Sequence, residues 1–140
     1  MGMECFISLS VKLNSGRTLV NECVCLWCKN WDLAKRVCDI VGVKDDYQYH
    51  EFTLKPGELK ELRDMLLNMS EDEECLDKHN YGASEYIESN YSCAAELTKI
   101  MLLRDKKLPV YELFPKEINE DNYDPNDNVI KTEVTFVYSP

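Results

Sequence analysis

Apolar and polar residues alternate near the start of the chain. Cys5, Ile7, Leu9, Val11 and Leu13 fall on one side and Ser8, Ser10 and Lys12 on the other, which predicts a half-buried strand over residues 3 to 13. Asn14-Ser15-Gly16 supplies turn chemistry. Gly16 can take the left-handed conformation that closes a three-residue hairpin loop, and a second extended run follows from Arg17 to about Trp27. Pairing Leu13 with Arg17 sets Ile7 opposite Cys23 and Cys5 opposite Cys25; a slip of one residue would turn every side chain of the second strand over.

Beyond the hairpin the period changes from two to that of a helix. Asn30 is a good N-cap, Trp31, Ala34, Val37, Cys38 and Val41 recur at helical spacing, and Gly42 is a natural stop, so the first helix is expected over 31 to 41. Tyr47 to Thr53 reads as a third strand carried by Tyr47, Tyr49 and Phe52. Pro56 at a first helical position, Glu58 and Glu61 near the positive end of the dipole, and the stripe Leu59, Leu62, Leu66, Met69 predict a second helix ending near Met69. A long third helix should start near Ser84 with Ile87, Tyr91, Ala94, Leu97, Thr98 and Met101 on its packed side. Pro109 and Pro115 predict an irregular connection, residues 116 to 128 a mobile acidic loop, and Ile130, Thr132, Val134, Phe136 and Tyr138 a terminal strand.

This order predicts an α+β fold: one domain over residues 1 to 140, with a four-stranded, mostly antiparallel sheet made of the N-terminal hairpin plus two further strands. Three helices pack on one face. With 140 residues, two independent cores would each sit near the lower size limit, and no fixed-period repeat suggests otherwise.

Charge narrows the function. Asp and Glu number 26 against 16 Lys and Arg, a formal net charge of −10, so the average field repels phosphate backbones and general nucleic-acid binding is not expected. No run approaches the roughly 20 apolar residues of a membrane span, and the first residues lack the basic start of a secretory signal. Seven scattered cysteines, an odd number, fit free thiols in a reducing cytoplasm better than a secreted disulfide framework; the sequons at Asn68 and Asn90 are set aside on the same ground.

Candidate chemistry is sparse. Cys23, Cys25 and Cys28 form a C-x-C-x-x-C cluster to which Cys5 is expected to face across the hairpin, so Cys5, Cys23, Cys25 and Cys28 are the alternative zinc or thiol set. Structural zinc wants four ligands, usually from two knuckles, and only one knuckle is present; Cys38 and His50 are further candidates for the fourth place. The default is ordinary packed thiols. Cys25-Leu26-Trp27-Cys28 before a helix is placed as a thioredoxin-like dithiol would be, but Trp27 lies inside the motif and no proline follows until Pro56. Asp124, Asn126 and Asn128 have the spacing of a calcium loop, yet Val129 and Thr135 stand where that loop needs Gly and Glu. His50 and His79 have no motif that joins them to a nucleophile, and no phosphate loop, nucleophile elbow or zinc-protease motif occurs. Neither a catalytic residue nor a cofactor is expected.

Two acidic stretches remain, near 70 to 80 and 112 to 128. The first offers Glu71, Asp72, Glu73 and Glu74 and the second Glu117, Glu120, Asp121 and Asp124 as partner-binding carboxylates, able to steer the chain to a basic surface. The plainer reading is that they keep the protein in solution. A pocket between helices and sheet, with Trp31, Tyr49 and Tyr91 around a nucleotide-type ligand, is the small-molecule alternative. The terminal strand has two options, pairing within the chain or across a two-fold axis as a homodimer.

Three segments carry a resemblance: Lys29-Asn30-Trp31-Asp32-Leu33-Ala34, the passage from Phe52 to Leu62, and Phe136-Val137-Tyr138-Ser139-Pro140. In this order they are similar to small uncharacterised accessory proteins encoded by tailed phages. The resemblance implies a phage accessory protein acting on host or rival machinery; joined to the acidic stretches, the expectation is an anti-defence factor in the host cytoplasm that binds and inhibits a host protein with a basic surface. The resemblance carries over no catalytic residue.

Overall fold

A computed structural model describes residues 4–28, 31–44, 48–71 and 83–139. The hairpin forms as the alternation requires: β1 is Glu4–Leu13 and β2 is Thr18–Cys28. Gly16 closes the turn at φ 94°, a left-handed conformation that costs glycine little, while the Leu13 N–H donates to the Arg17 carbonyl at 2.8 Å. Helix α1, Trp31–Val41, stops at Gly42 with φ 79°, where the Val43 N–H reaches back to the Cys38 carbonyl at 2.9 Å. Strand β3 is His50–Thr53, shorter than the run expected from Tyr47; Tyr49 lies outside it and Tyr47 lies outside the described residues.

Helix α2, Pro56–Glu71, has the start its sequence calls for. Pro56 gives up an N–H that has no helical partner at that position, and Glu58 Oε1 accepts the Lys55 N–H at 2.9 Å, the reciprocal half of a capping box. Helix α3 spans Ala83–Arg104 and ends in a Schellman-type turn: Lys107 N–H to Leu102 O at 2.9 Å and Lys106 N–H to Leu103 O at 3.1 Å. Lys106 holds the left-handed position there, at φ 59°. A short 3-10 turn over Val110–Glu112 leads toward β4, Val129–Ser139.

The sheet has four strands in the order β2-β1-β4-β3, antiparallel throughout. β4 pairs within the chain, with β1 along its length and with β3 over Thr135–Tyr138. One face is buried under the helices: Cys5, Ile7, Leu9, Val11 and Leu13 of β1 and Val134, Phe136 and Tyr138 of β4 pack with Leu59, Leu62, Leu66 and Met69 of α2 and Leu97 and Ile100 of α3 in one cluster. Rings continue this layer onto β3, where His50 stacks between Phe52 at 5.4 Å and Tyr138 at 6.2 Å. The α2 stripe is the one the sequence marks. The α3 stripe is rotated: its buried residues are Asn90, Cys93, Ala94, Leu97, Ile100 and Leu103, and Tyr91 is 42% exposed.

The hairpin register agrees with the sequence reading only near the turn. Leu9 pairs with Asn21 and Val11 with Leu19, but Ile7 pairs with Cys25 and Cys5 with Trp27, so Glu22, Cys23 and Val24 stand opposite Ser8 alone. The irregularity begins at Asn21, whose Oδ1 accepts the Cys23 N–H at 3.2 Å and offers the backbone an alternative to the ladder. Because the displacement is two residues, facing is kept, and Leu19 and Cys25 both remain on the buried side.

Candidate functional site

Residues 116 to 128, expected to be a mobile acidic loop, follow a buried anchor and are tied to the hairpin turn by hydrogen bonds. Val110, Leu113 and Phe114 form that anchor, with Ile118 buried just inside the loop. The loop's second part is a series of side-chain-closed turns. Asn119 Oδ1 accepts the N–H groups of Asp121 at 2.9 Å and Asn122 at 3.1 Å, while Asn122 Oδ1 accepts the Asn119 N–H at 2.7 Å. Asp127 clamps the hairpin turn, its carboxylate taking the Ser15 N–H and the Ser15 hydroxyl, both at 2.8 Å. Arg17 Nη2 adds a bond to the Glu117 carbonyl at 3.2 Å, and the Asn14 N–H one to Asn128 O at 2.8 Å.

This scaffold holds Glu117, Glu120, Asp121 and Asp124 on its outside, all exposed and none in an ion pair among the described residues. Asp124 spends one oxygen on the Asn126 N–H at 2.9 Å, and the Asn128 amide donates to Asn126 O at 3.4 Å, so the calcium-like spacing closes turns rather than gathering oxygens. Of the other acidic stretch, the Glu71 side chain and Asp72, Glu73 and Glu74 lie outside the described residues.

The cysteine set needs correction. Cys25 is bonded to Cys93 of α3, a partner 68 residues away, and is therefore not a reduced thiol or a thiolate ligand. Cys5 is buried and paired in register with Trp27, Cys23 is exposed, and the Cys28 side chain lies outside the described residues. His50 is on β3, the opposite edge from β2, about 14 Å away across three strand spacings. Among the described residues no group of three His, Cys, Asp or Glu side chains is placed to hold a metal.

No family model, curated protein or solved structure matches the chain.

Of the three aromatics expected around a pocket, the structure describes the side chains of two. Tyr49 is 59% exposed beside β3 and Tyr91 sits on the outer side of α3, while the Trp31 side chain lies outside the described residues. Tyr49 instead donates to Glu51 Oε2 at 3.3 Å. Its phenol is held above the usual value, first by desolvation against the surface and then by the Glu51 charge and hydrogen bond.

Two cavities flank the acidic loop, and the sequence reading missed both. One, of about 300 Å³, lies between the end of α3 and the loop, lined in part by Lys106, Lys107, Pro109, Tyr123 and Asp127. Another, of about 560 Å³, lies between the bulged stretch Val20 to Cys23 and the segment Leu113 to Glu117. Lys106, a lysine in the left-handed position where helix ends favour glycine, borders the first. Arg104, close by, donates from Nη2 to Thr132 O at 3.2 Å, and desolvation by burial pulls its pKa below the usual guanidinium value. No helix among the described residues is long and apolar enough to cross a membrane.

Proposed function

We propose that the chain is a non-enzymatic binding protein whose loop 117–128 docks on a basic surface of a host protein and inhibits it. The role fits an accessory or anti-defence factor of a phage acting in the host cytoplasm. The observation that carries this reading is the contrast within the loop. Asn119, Asn122, Asn128 and Asp127 spend side-chain atoms on holding the backbone, while Glu117, Glu120, Asp121 and Asp124 stand exposed without an ion pair among the described residues, Asp124 accepting one turn N–H. A loop already held by its own hydrogen bonds loses little entropy on binding, and its negative charge speeds encounter with a basic partner. The net charge of −10 acts in the same direction.

Salt tests this. A host protein retained on the immobilised chain at low ionic strength should be released near 0.5 M salt, where screening falls to a few ångströms. Retention unchanged by salt would remove the reading.

The 300 Å³ cavity supports a second reading, a nucleotide-type ligand held by the Lys106 and Lys107 charges with Tyr123 alongside its base. A ligand at about 100 times its dissociation constant raises stability by about 2.7 kcal/mol, so a thermal-shift screen with nucleotides distinguishes it.

A further inference from the structure

Cys23 and Cys25 lie two residues apart on β2, and Cys25 is bonded to Cys93 of α3. The Cys25–Cys93 bond is the covalent tie between this sheet edge and the helix. Although both residues are nearly buried, their bond borders a surface cleft of about 170 Å³ lined by Val24, Cys25, Leu26, Ser92 and Cys93. The third sulfur is that of Cys23, an exposed free thiol whose Sγ stands 3.7 Å from the Cys25 carbonyl oxygen.

The bulge is what makes this arrangement reactive in principle. A regular strand holds residues i and i+2 about 6.7 Å apart, at the upper limit for a disulfide, and bends inward only where the ladder is broken. Cys23 lies inside the three-residue stretch that the ladder leaves unpaired, immediately before Cys25 rejoins it. The backbone between the two sulfurs is therefore the part of β2 most able to shorten their separation.

We propose that Cys23, Cys25 and Cys93 form a thiol–disulfide exchange site. The Cys23 thiolate attacks Cys25 Sγ; the Cys23–Cys25 bond forms as the Cys25–Cys93 bond breaks, and the electron pair leaves on Cys93 Sγ. The proton that Cys23 gives to water is matched by the one Cys93 takes from it. The number of disulfides is unchanged, so neither an oxidant nor a reductant is consumed. The product frees α3 from β2 and leaves a thiol on Cys93 at the mouth of the cleft, where a small disulfide or a soft electrophile can reach it. A disulfide in a reducing compartment is ordinarily a transient or sensing one, and an internal thiol able to open it fits that class. Cys23 also lines the 560 Å³ cavity with Glu117, so exchange alters the wall on which the acidic loop rests. The site does not depend on the loop's binding a partner.

The test is thiol trapping on the intact, unreduced chain. Folded protein is held with excess N-ethylmaleimide over a time course, and peptides are mapped by mass spectrometry without reduction. The wild type should accumulate molecules in which Cys93 carries the label and Cys23 is linked to Cys25. Cys23→Ser, at an exposed position and checked for folding by circular dichroism, should lose Cys93 labelling and keep the Cys25–Cys93 link. Equal Cys93 labelling in the two proteins, an intact Cys25–Cys93 link with no Cys23–Cys25 product in the wild type, or label on both Cys25 and Cys93 from the first time point would each overturn the proposal.

Discussion

Asp127 holds Ser15 by two hydrogen bonds, one to its backbone N–H and one to its hydroxyl, across 112 positions of sequence. The tip of the first hairpin and the loop before the last strand are in this way one structural unit. Charge-assisted bonds of this kind contribute more than neutral ones even at the surface, so Asp127→Ala should lower the unfolding free energy by about 1–2 kcal/mol. Ser15→Ala, which removes the hydroxyl's bond to Asp127 and the longer one it accepts from the Arg17 N–H at 3.4 Å but keeps the backbone bond, should cost about half as much. Urea unfolding checks both, and faster amide exchange at Ser15 in Asp127→Ala would localise the effect. Unchanged exchange would mean the loop is held elsewhere.

Among the described residues Asn90 is a buried polar side chain for which the fold supplies no hydrogen bond. It is fully buried on α3, and neither its amide nitrogen nor its carbonyl oxygen has a hydrogen-bond partner. Leaving such groups dry costs about 1–3 kcal/mol, whereas an apolar side chain of similar shape avoids the cost. Asn90→Leu should therefore raise stability by about 1–2 kcal/mol, seen as a higher urea midpoint at unchanged slope. A lower midpoint would show that the amide is satisfied in solution. Its burial also removes Asn90 as a glycan acceptor in the folded chain.

Tyr49 links structure to pH. Its folded phenol pKa lies above the ordinary 10.0, through desolvation first and Glu51 second. The neutral form is thus the one the fold favours: the contribution is complete below the unfolded value and is lost as pH rises through the folded one. NMR titration of the Tyr49 ring should give a midpoint above 10, and Glu51→Gln should bring it part of the way down. A full return to the ordinary value would make Glu51, not desolvation, the main cause.

Much of the fold was legible because local chemistry and global packing agree. The β1 alternation, the left-handed positions at Gly16 and Gly42, and the Pro56–Glu58 start of α2 each declare themselves within a few residues. One misreading is local and the others depend on distant residues. Asn21 breaks the ladder by an option that pairing rules do not weigh, and the Cys25–Cys93 bond joins residues 68 apart. The α3 stripe was read one step round the helix because Tyr91 and Met101 look as apolar as Cys93 and Ile100, and only the sheet decides between them. In the loop the carboxylates were visible in sequence, while the partition into anchoring Asp127 and exposed Glu120 and Asp121 was not, since it is set by the hairpin turn.

The account rests on those exposed carboxylates being the binding determinant. Replacing Glu117, Glu120, Asp121 and Asp124 by their amides removes four charges and leaves every hydrogen bond from Asn119, Asn122 and Asp127 in place. The most direct measurement is quantitative capture of host proteins by the wild type and by this amide variant side by side at low salt. The account predicts a basic host protein bound by the wild type and lost from the variant; the same protein bound equally by both would contradict it.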